Sequence, residues 1–370
     1  MIPRKPLLHL LFLVVVFSLM GCNIDFTNFL EPFPPEINLR IRPAIQLRGA
    51  DLSLLPEVRK SGITLKNAAG KNEDMFKTLL DSGMNFVRLR LFHSPTDSVS
   101  TLEQVRAFKE EINSLGRGTS ILLAVHFSDT WADPSQQTLP KAWESLSFEL
   151  LGDSLEAYTE RVCREIEPRI IQIGNEINGG FLWPHGSLQN PSRFRELMNR
   201  GIAAVRRASP KTMIMLHHAS PQGAAWFLEM VSPLDYDLIG FSYYPMWHGK
   251  SPSLAIRTFD SLATIHNRNY MVVETSYPFT LQWNDWTNNI VGLESQLGDG
   301  FPATPKGQAA FLKTVKNLVF ESRMGLGICY WGGEWVSFKG AQATNGSPYE
   351  NQALWDFQNR ALPAIRELGW

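Results

Sequence analysis

The sequence predicts an α/β chain folded as a single (β/α)8 TIM barrel, with long βα loops forming an open substrate groove. Three observations carry this. Eight short apolar runs alternate with helical patterns across residues 46–370. The runs lack strict polar alternation, as expected of strands buried on both faces. The long, aromatic-rich segments follow the runs, and in a barrel the segments after the strands all open on one rim.

The strand candidates, in order, are Ile45–Gly49, Asn85–Leu91, Ile121–His126, Ile170–Gly174, Met213–His217, Leu238–Ser242, Tyr270–Glu274 and Gly327–Trp331. Between the second and third, Ser100 and Glu103 form a capping-box signature. Leu102, Val105, Phe108 and Ile112 make one helical face, and Gly116 closes the helix. A later helix carries Phe194, Leu197, Met198, Ile202 and Val205 on one side. Another, after Pro305, carries Phe311, Leu312, Val315 and Leu318. The alternative architecture, a doubly wound open sheet, requires a glycine-rich phosphate loop after an early strand. No G-x-G-x-x-G follows a strand, and Gly70-Lys71 lacks the rest of a P-loop.

Ahead of the barrel, Arg4 and Lys5 precede an apolar stretch from Leu7 to Met20, too short for a comfortable membrane span. It ends in Leu19-Met20-Gly21-Cys22, which resembles the lipobox of bacterial lipoproteins. Residues 1–21 are therefore expected to be a lipoprotein signal peptide, with Cys22 the lipidated first residue of the mature chain. Residues 22–45, with Pro32, Pro34 and Pro35, form a tether, and 46–370 the barrel. The alternative is simple cleavage, with Cys22 an incidental thiol. Lipidation implies an exported, membrane-anchored protein at the outer membrane or cell surface. Cys163 and Cys329 are expected to be buried free thiols.

Net charge is −1, without runs of like charge, which argues against a nucleic-acid partner. Eleven Trp and eight Tyr suit stacking on sugar rings. In a barrel, the loops Asp129–Trp143, Ile177–Pro191, Tyr243–Ser253, Thr275–Pro305 and Gly332–Tyr349 bring many of them to one rim.

Two carboxylates stand out. Glu176, in Gln172-Ile173-Gly174-Asn175-Glu176, and Glu274, in Val272-Val273-Glu274-Thr275, sit at the ends of strand candidates four and seven. Those strands lie on opposite sides of a barrel axis, so the two side chains can face each other across a cleft. Cleaving a glycosidic bond needs an acid for the leaving oxygen and a carboxylate for the anomeric carbon. A lone strand-end glutamate is more often a salt-bridged surface group. Asn175 beside Glu176 favours the catalytic reading, because an amide there can bond a sugar 2-hydroxyl.

Several motifs, in order, span nearly the whole mature chain. They are Arg48-Gly49-Ala50-Asp51-Leu52-Ser53, Gly83-Met84-Asn85-Phe86-Val87-Arg88-Leu89-Arg90 and His126-Phe127-Ser128-Asp129-Thr130-Trp131-Ala132-Asp133-Pro134. Gly240-Phe241-Ser242-Tyr243-Tyr244-Pro245 and Glu350-Asn351-Gln352-Ala353-Leu354 follow. With the two glutamate motifs, they resemble glycoside hydrolase family 53, the arabinogalactan endo-β-1,4-galactanases, within the retaining eight-stranded-barrel β-glycosidases. The resemblance implies an endo-acting retaining hydrolase of β-1,4-galactosidic bonds in neutral galactan. Glu176 would be the acid/base and Glu274 the nucleophile, with Asn175 on the 2-hydroxyl.

Arg88 and Arg90 share one side of strand two. Arg90, nearer the top, is expected to orient the nucleophile, with Arg88 either a partner or a buried structural cation. One of Tyr243 and Tyr244 is expected to bond the nucleophile, and alternation allows only one. Trp131 would stack on sugar, while His126 and Trp331 line the floor; the plain alternatives are a core histidine and barrel packing. Asp51 and Ser53 are expected to shape the first loop. Trp183, Trp247, Trp283 and Trp286 are outer subsites or loop anchors.

Two departures from the family stand out. Trp331-Gly332-Gly333-Glu334-Trp335 replaces the usual Trp-Glu-Pro-Ala-Trp. Some bacterial members bind calcium in the seventh loop, where Thr280–Asn289 offers only Asp285 with Asn284, Asn288 and Asn289. That is a poor cage for calcium, so no metal or other cofactor is expected. His217 and His218 are adjacent on a strand and point opposite ways, which excludes a shared zinc. A monomer is expected.

Overall fold

The computed structural model describes residues 46–369. The signal segment, Cys22 and the tether expected before the barrel lie outside the described residues. Eight parallel strands close a barrel: β1 (Leu47–Asp51), β2 (Phe86–Leu91), β3 (Ser120–Val125), β4 (Ile170–Ile173), β5 (Met213–Ala219), β6 (Leu238–Ser242), β7 (Asn269–Thr275) and β8 (Gly325–Tyr330). Each strand pairs with its sequence neighbours, and β8 closes onto β1. The sequence-predicted (β/α)8 barrel is the observed fold.

Besides the short helices Leu55–Lys60 and Pro245–His248, the helices between strands are α1 (Met75–Asp81), α2 (Leu102–Ser114), α3 (Phe148–Ile166), α4 (Pro191–Ala208), α5 (Ala224–Val231), α6 (Pro252–Ile265) and α7 (Pro305–Glu321). After β8 the described chain ends in a 3-10 segment, Pro363–Leu368, rather than an eighth α-helix. The expected apolar faces are inward: Phe194, Leu197, Met198, Ile202 and Val205 of α4 are all buried, as are Phe311, Leu312 and Val315 of α7. Each such side chain contributes about 1.5–3 kcal/mol of burial.

One local expectation is corrected. The cap of α2 is Thr101, whose hydroxyl accepts from the Gln104 amide at 3.1 Å. Ser100 lies one residue earlier, and its hydroxyl instead accepts from Arg90 Nε at 3.0 Å. A buried guanidinium without an acceptor costs more than a shifted cap, so Ser100 is used there and the helix starts one residue later.

The barrel interior is filled at its base by one residue from each strand: Leu47, Phe86, Leu122, Ile170, Met215, Leu238, Met271 and Leu326. Counting upward in twos puts Arg88 and Arg90, His126, Gln172, His217 and Ser242 on the same inner face. Gly240 makes room among them, since a Cβ there would lie 2.7 Å from Met215 Sδ.

Strand β7 breaks the count. Phe241 pairs with Val272 but Ser242 pairs with Glu274. On the other side, Ile328 pairs with Val272 and Tyr330 with Thr275. Both neighbours see one extra residue in β7, which defines a bulge. Met271 and Val273 face the interior, and the bulge turns Glu274 inward as well. Cys163 and Cys329 are buried and unpaired.

Candidate active site

A groove of about 800 Å³ opens over the carboxyl ends of the strands, lined by both Glu176 and Glu274. The chain brings each there by an irregularity. Beyond β4, Gly174 and Glu176 both take left-handed backbone, at φ 78° and 47°. Such a conformation is unusual for glutamate and persists only where neighbours enforce it. Gln137 Nε2 donates to the Asn175 carbonyl at 2.8 Å, and the Glu176 amide donates to His217 Nδ1 at 3.3 Å. Glu274 arrives through the β7 bulge.

The two carboxyls have unlike partners. Glu274 is 6% exposed; its Oε1 lies 2.7 Å from Arg88 Nη2, and its Oε2 accepts from the Tyr244 hydroxyl at 3.0 Å. Glu176 has no cation against it; Ser242 Oγ donates to its Oε1 at 2.5 Å. Burial, then the charge of Glu274, pushes Glu176 up to about 8. Burial raises Glu274 too, but Arg88 and the Tyr244 hydroxyl oppose it. A proton shared by the pair therefore resides on Glu176, and Glu274 is the ionised member. This division suits an acid and a nucleophile working on one bond.

The cation on Glu274 is Arg88, not Arg90 as expected from its height on β2. Register explains it. Arg88 pairs across the sheet with Asp51 and bonds its Oδ2 at 2.6 Å, so its guanidinium is held level with Glu274. The same Nη2 reaches Asn175 Oδ1 at 2.9 Å. Arg90, two residues higher, lies 3.8 Å above the Trp131 ring and 5.0 Å from that of Phe92. Burial lowers it to about 10, so it remains a cation at neutral pH. Asp51 does shape the first loop, accepting from Ser53, but it is also the counterion of Arg88.

Alternation decides the tyrosines. Tyr244 shares the inner side with Ser242. Tyr243 faces outward, stacked on Phe311, and donates to the Gly249 carbonyl at 2.9 Å.

Asn175 lines the groove; its Nδ2 gives one hydrogen to the Ala132 carbonyl at 2.9 Å, leaving the second for a ligand. His126 also lines it. Its Nδ1 accepts from the Ala132 amide at 3.1 Å, and burial followed by the two arginines holds the ring neutral, so Nε2 is the donor left for a sugar hydroxyl. Trp131, Trp331 and Trp335 form one aromatic wall, with centroids 5.4–6.2 Å apart. Tyr349 packs on Trp331 at 4.7 Å.

Trp335, Tyr349 and His248 were not singled out from sequence; only their place in post-strand loops pointed to them. Of the four tryptophans expected as outer subsites or loop anchors, Trp247 lines the groove and is half exposed. Trp183 donates to the Gly179 carbonyl in its own loop. Trp283 and Trp286 are exposed outside the groove lining.

In the altered eighth loop, Glu334 turns under the groove. It is fully buried, accepts from the Leu54 amide at 3.3 Å, and is pushed well up by burial and then by Asp51.

Within Thr280–Asn289 the seventh loop offers a single carboxylate, Asp285. Asp285 accepts from the Thr287 amide at 2.7 Å and from Ser337 Oγ at 3.0 Å, so protein donors already hold both its oxygens. Among the described residues no group of three or more His, Cys, Asp or Glu could hold a metal ion. His217 and His218 diverge as expected: His217 is inside the barrel, and His218 packs outward on Phe227.

Residues 47–368 match the model of glycosyl hydrolase family 53. An arabinogalactan endo-beta-1,4-galactanase of Cellvibrio japonicus is 36% identical over 86% of this chain and 89% of its own. An endo-beta-1,4-galactanase of Bacillus subtilis is 30% identical over 86% and 84%. Among solved structures, the Ignisphaera aggregans GH53 catalytic domain superposes with a TM-score of 0.80 at 31% identity, covering 90% of this chain and 99% of that one. The barrel, the groove and these likenesses agree: the chain belongs to glycosyl hydrolase family 53.

Proposed function

We propose that this enzyme is an endo-acting, retaining β-1,4-galactanase that cuts neutral galactan within the chain. The observation that carries the chemistry is the unlike pairing of two glutamates in one groove. Glu176, kept protonated, gives its proton to the departing O4 as the C1–O4 bond breaks. Glu274, kept ionised by Arg88 and Tyr244, attacks C1 and forms the glycosyl-enzyme. Water then attacks C1, the C1–Glu274 bond breaks, and Glu176 takes the water's proton.

Arg88 is neutralised by Asp51 and Glu274, and Arg90 is spent on Ser100 and two rings. Burial holds His248 at about 4, so it is neutral. Among the described groove residues, that leaves Arg90 as the uncompensated cation, lying against the Trp131 and Phe92 rings.

Export and lipidation at Cys22 belong to the same proposal and rest on Leu19-Met20-Gly21-Cys22 alone. Palmitate labelling that survives Cys22→Ser contradicts them.

The test is an incubation with linear β-1,4-galactan, mannan and cellulose, sizing the products and following the new anomeric proton by NMR. Galacto-oligosaccharides released first as the β-anomer are expected. Cleavage of mannan or cellulose alone overturns the substrate, and first release of the α-anomer overturns retention. Binding without cleavage overturns the enzyme reading.

A further inference from the structure

We propose that His217 and Ser242 form a positioning relay that confines the proton of Glu176 to its Oε2 and limits how tightly it is held. The proposal rests on the reading of Glu176 as the acid/base. Both residues face the barrel interior and are completely buried. His217 Nε2 lies 2.9 Å from Ser242 Oγ, and Ser242 Oγ lies 2.5 Å from Glu176 Oε1. His217 Nδ1 lies 3.3 Å from the Glu176 amide nitrogen and 3.2 Å from Asn175 Oδ1.

The direction of the relay follows from counting donors. Nδ1 faces one donor, the Glu176 amide, and one acceptor, Asn175 Oδ1. That acceptor already takes Arg88 Nη2 at 2.9 Å and Gln172 Nε2 at 3.0 Å, which fills its two lone pairs. The Glu176 amide, by contrast, has no other acceptor. Nδ1 therefore accepts. Burial and the charge of Arg88 hold the ring well below the usual histidine range, so it is neutral and carries its one hydrogen on Nε2. That hydrogen goes to Ser242 Oγ. The serine's own hydrogen is then left for Glu176 Oε1.

Two consequences follow. With Oε1 accepting from Ser242, the acid proton sits on Oε2, the oxygen with no protein partner in a side chain that lines the groove. The serine bond also favours the ionised form, opposing burial and the charge of Glu274. Glu176 can thus release its proton to the leaving O4 and regain one from the attacking water. His217 acts through Ser242, and Ser242 through Glu176; neither needs to touch the sugar.

The experiment measures kcat/KM against pH for Ser242→Ala, His217→Leu, His217→Gln and Glu176→Ala. Substrates are linear β-1,4-galactan and a dinitrophenyl β-galactobioside, whose leaving group needs no acid. Thermal unfolding checks each fold. Ser242→Ala is expected to move the alkaline limb to higher pH and to slow galactan cleavage about 10–100-fold, the worth of a hydrogen bond to a charged group. The dinitrophenyl substrate is expected to lose much less. His217→Leu should reproduce this pattern. His217→Gln, which keeps an N–H donor for Ser242, should return the limb toward its original position. An alkaline limb unmoved in Ser242→Ala, or equal losses on both substrates, overturns the relay. If Glu176→Ala itself keeps the alkaline limb and the galactan rate, the acid/base reading has failed instead.

Discussion

Replacing Arg88 by Met tests the electrostatic division between the two glutamates most directly. The substitution keeps a long apolar stem and removes the guanidinium. It leaves Glu274 and Asp51 buried without the cation that lies 2.7 and 2.6 Å from them. Removing one partner of a buried ion pair costs about 3–5 kcal/mol, because the remaining charge is left uncompensated. Glu274 must then be ionised without its cation, and at 1.36 kcal/mol per decade the ionised fraction falls by roughly two to four orders of magnitude.

The sign is defined. Arg88 lowers the Glu274 pKa, so its loss raises it, and the acid limb of kcat/KM moves to higher pH. Arg88 also lowers Glu176, but ranks below Ser242 among its influences, so the alkaline limb moves less and the active window narrows. Arg88→Lys keeps one charge but cannot reach Asp51, Glu274 and Asn175 together, and should fall between. The assay is kcat/KM on linear galactan from pH 4 to 10, with chemical denaturation to confirm folding. The reasoning is refuted if a folded Arg88→Met enzyme stays within fivefold of the original with its acid limb in place. It is also refuted if Arg90→Met, rather than Arg88→Met, moves that limb.

Tyr244→Phe removes one charge-assisted bond to Glu274, so kcat/KM is expected to fall about 10–100-fold, while Tyr243→Phe leaves it nearly unchanged. Glu176→Gln is expected to stabilise the fold at alkaline pH. The raised carboxyl contributes stability that is complete below the unfolded value of 4.5 and is lost as pH rises through about 8, so the gain in Tm over the parent should be larger at pH 9 than at pH 5. Arg90→Met should loosen Trp131 and raise KM for galactan more than it lowers kcat, read from initial rates over a range of substrate concentrations. Chelator should leave Tm unchanged, because Asp285 is held by Thr287 and Ser337; a fall reversed by calcium would contradict that.

The barrel was legible because eight both-face-buried strands leave a pattern that survives in one dimension. Glu176 and Glu274 were legible for a related reason, since each closes an apolar run. Alternation along the strand also separates His217 from His218. It narrowed Tyr243 and Tyr244 to one without saying which, because no local signal tells which side of β6 faces the axis. Height along β2, the one guide the sequence offers, points to Arg90, whereas Arg88 holds Glu274. The actual arbiter is the cross-strand register that sets Asp51 opposite Arg88. Ser100 resembles a cap when only its neighbours along the chain are considered, whereas Arg90 competes for it from another element.

The amino-acid order alone determined the layered α/β architecture, the two carboxylates and the aromatic rim, because these depend on periodicity and on residues adjacent in the chain. Only the tertiary structure decided which arginine and which tyrosine hold Glu274, and that His217 and Ser242 stand behind Glu176. Those choices depend on strand register, on one bulged residue in β7, and on hydrogen-bond donors meeting acceptors tens of residues away, which only closing the barrel brings within 3 Å.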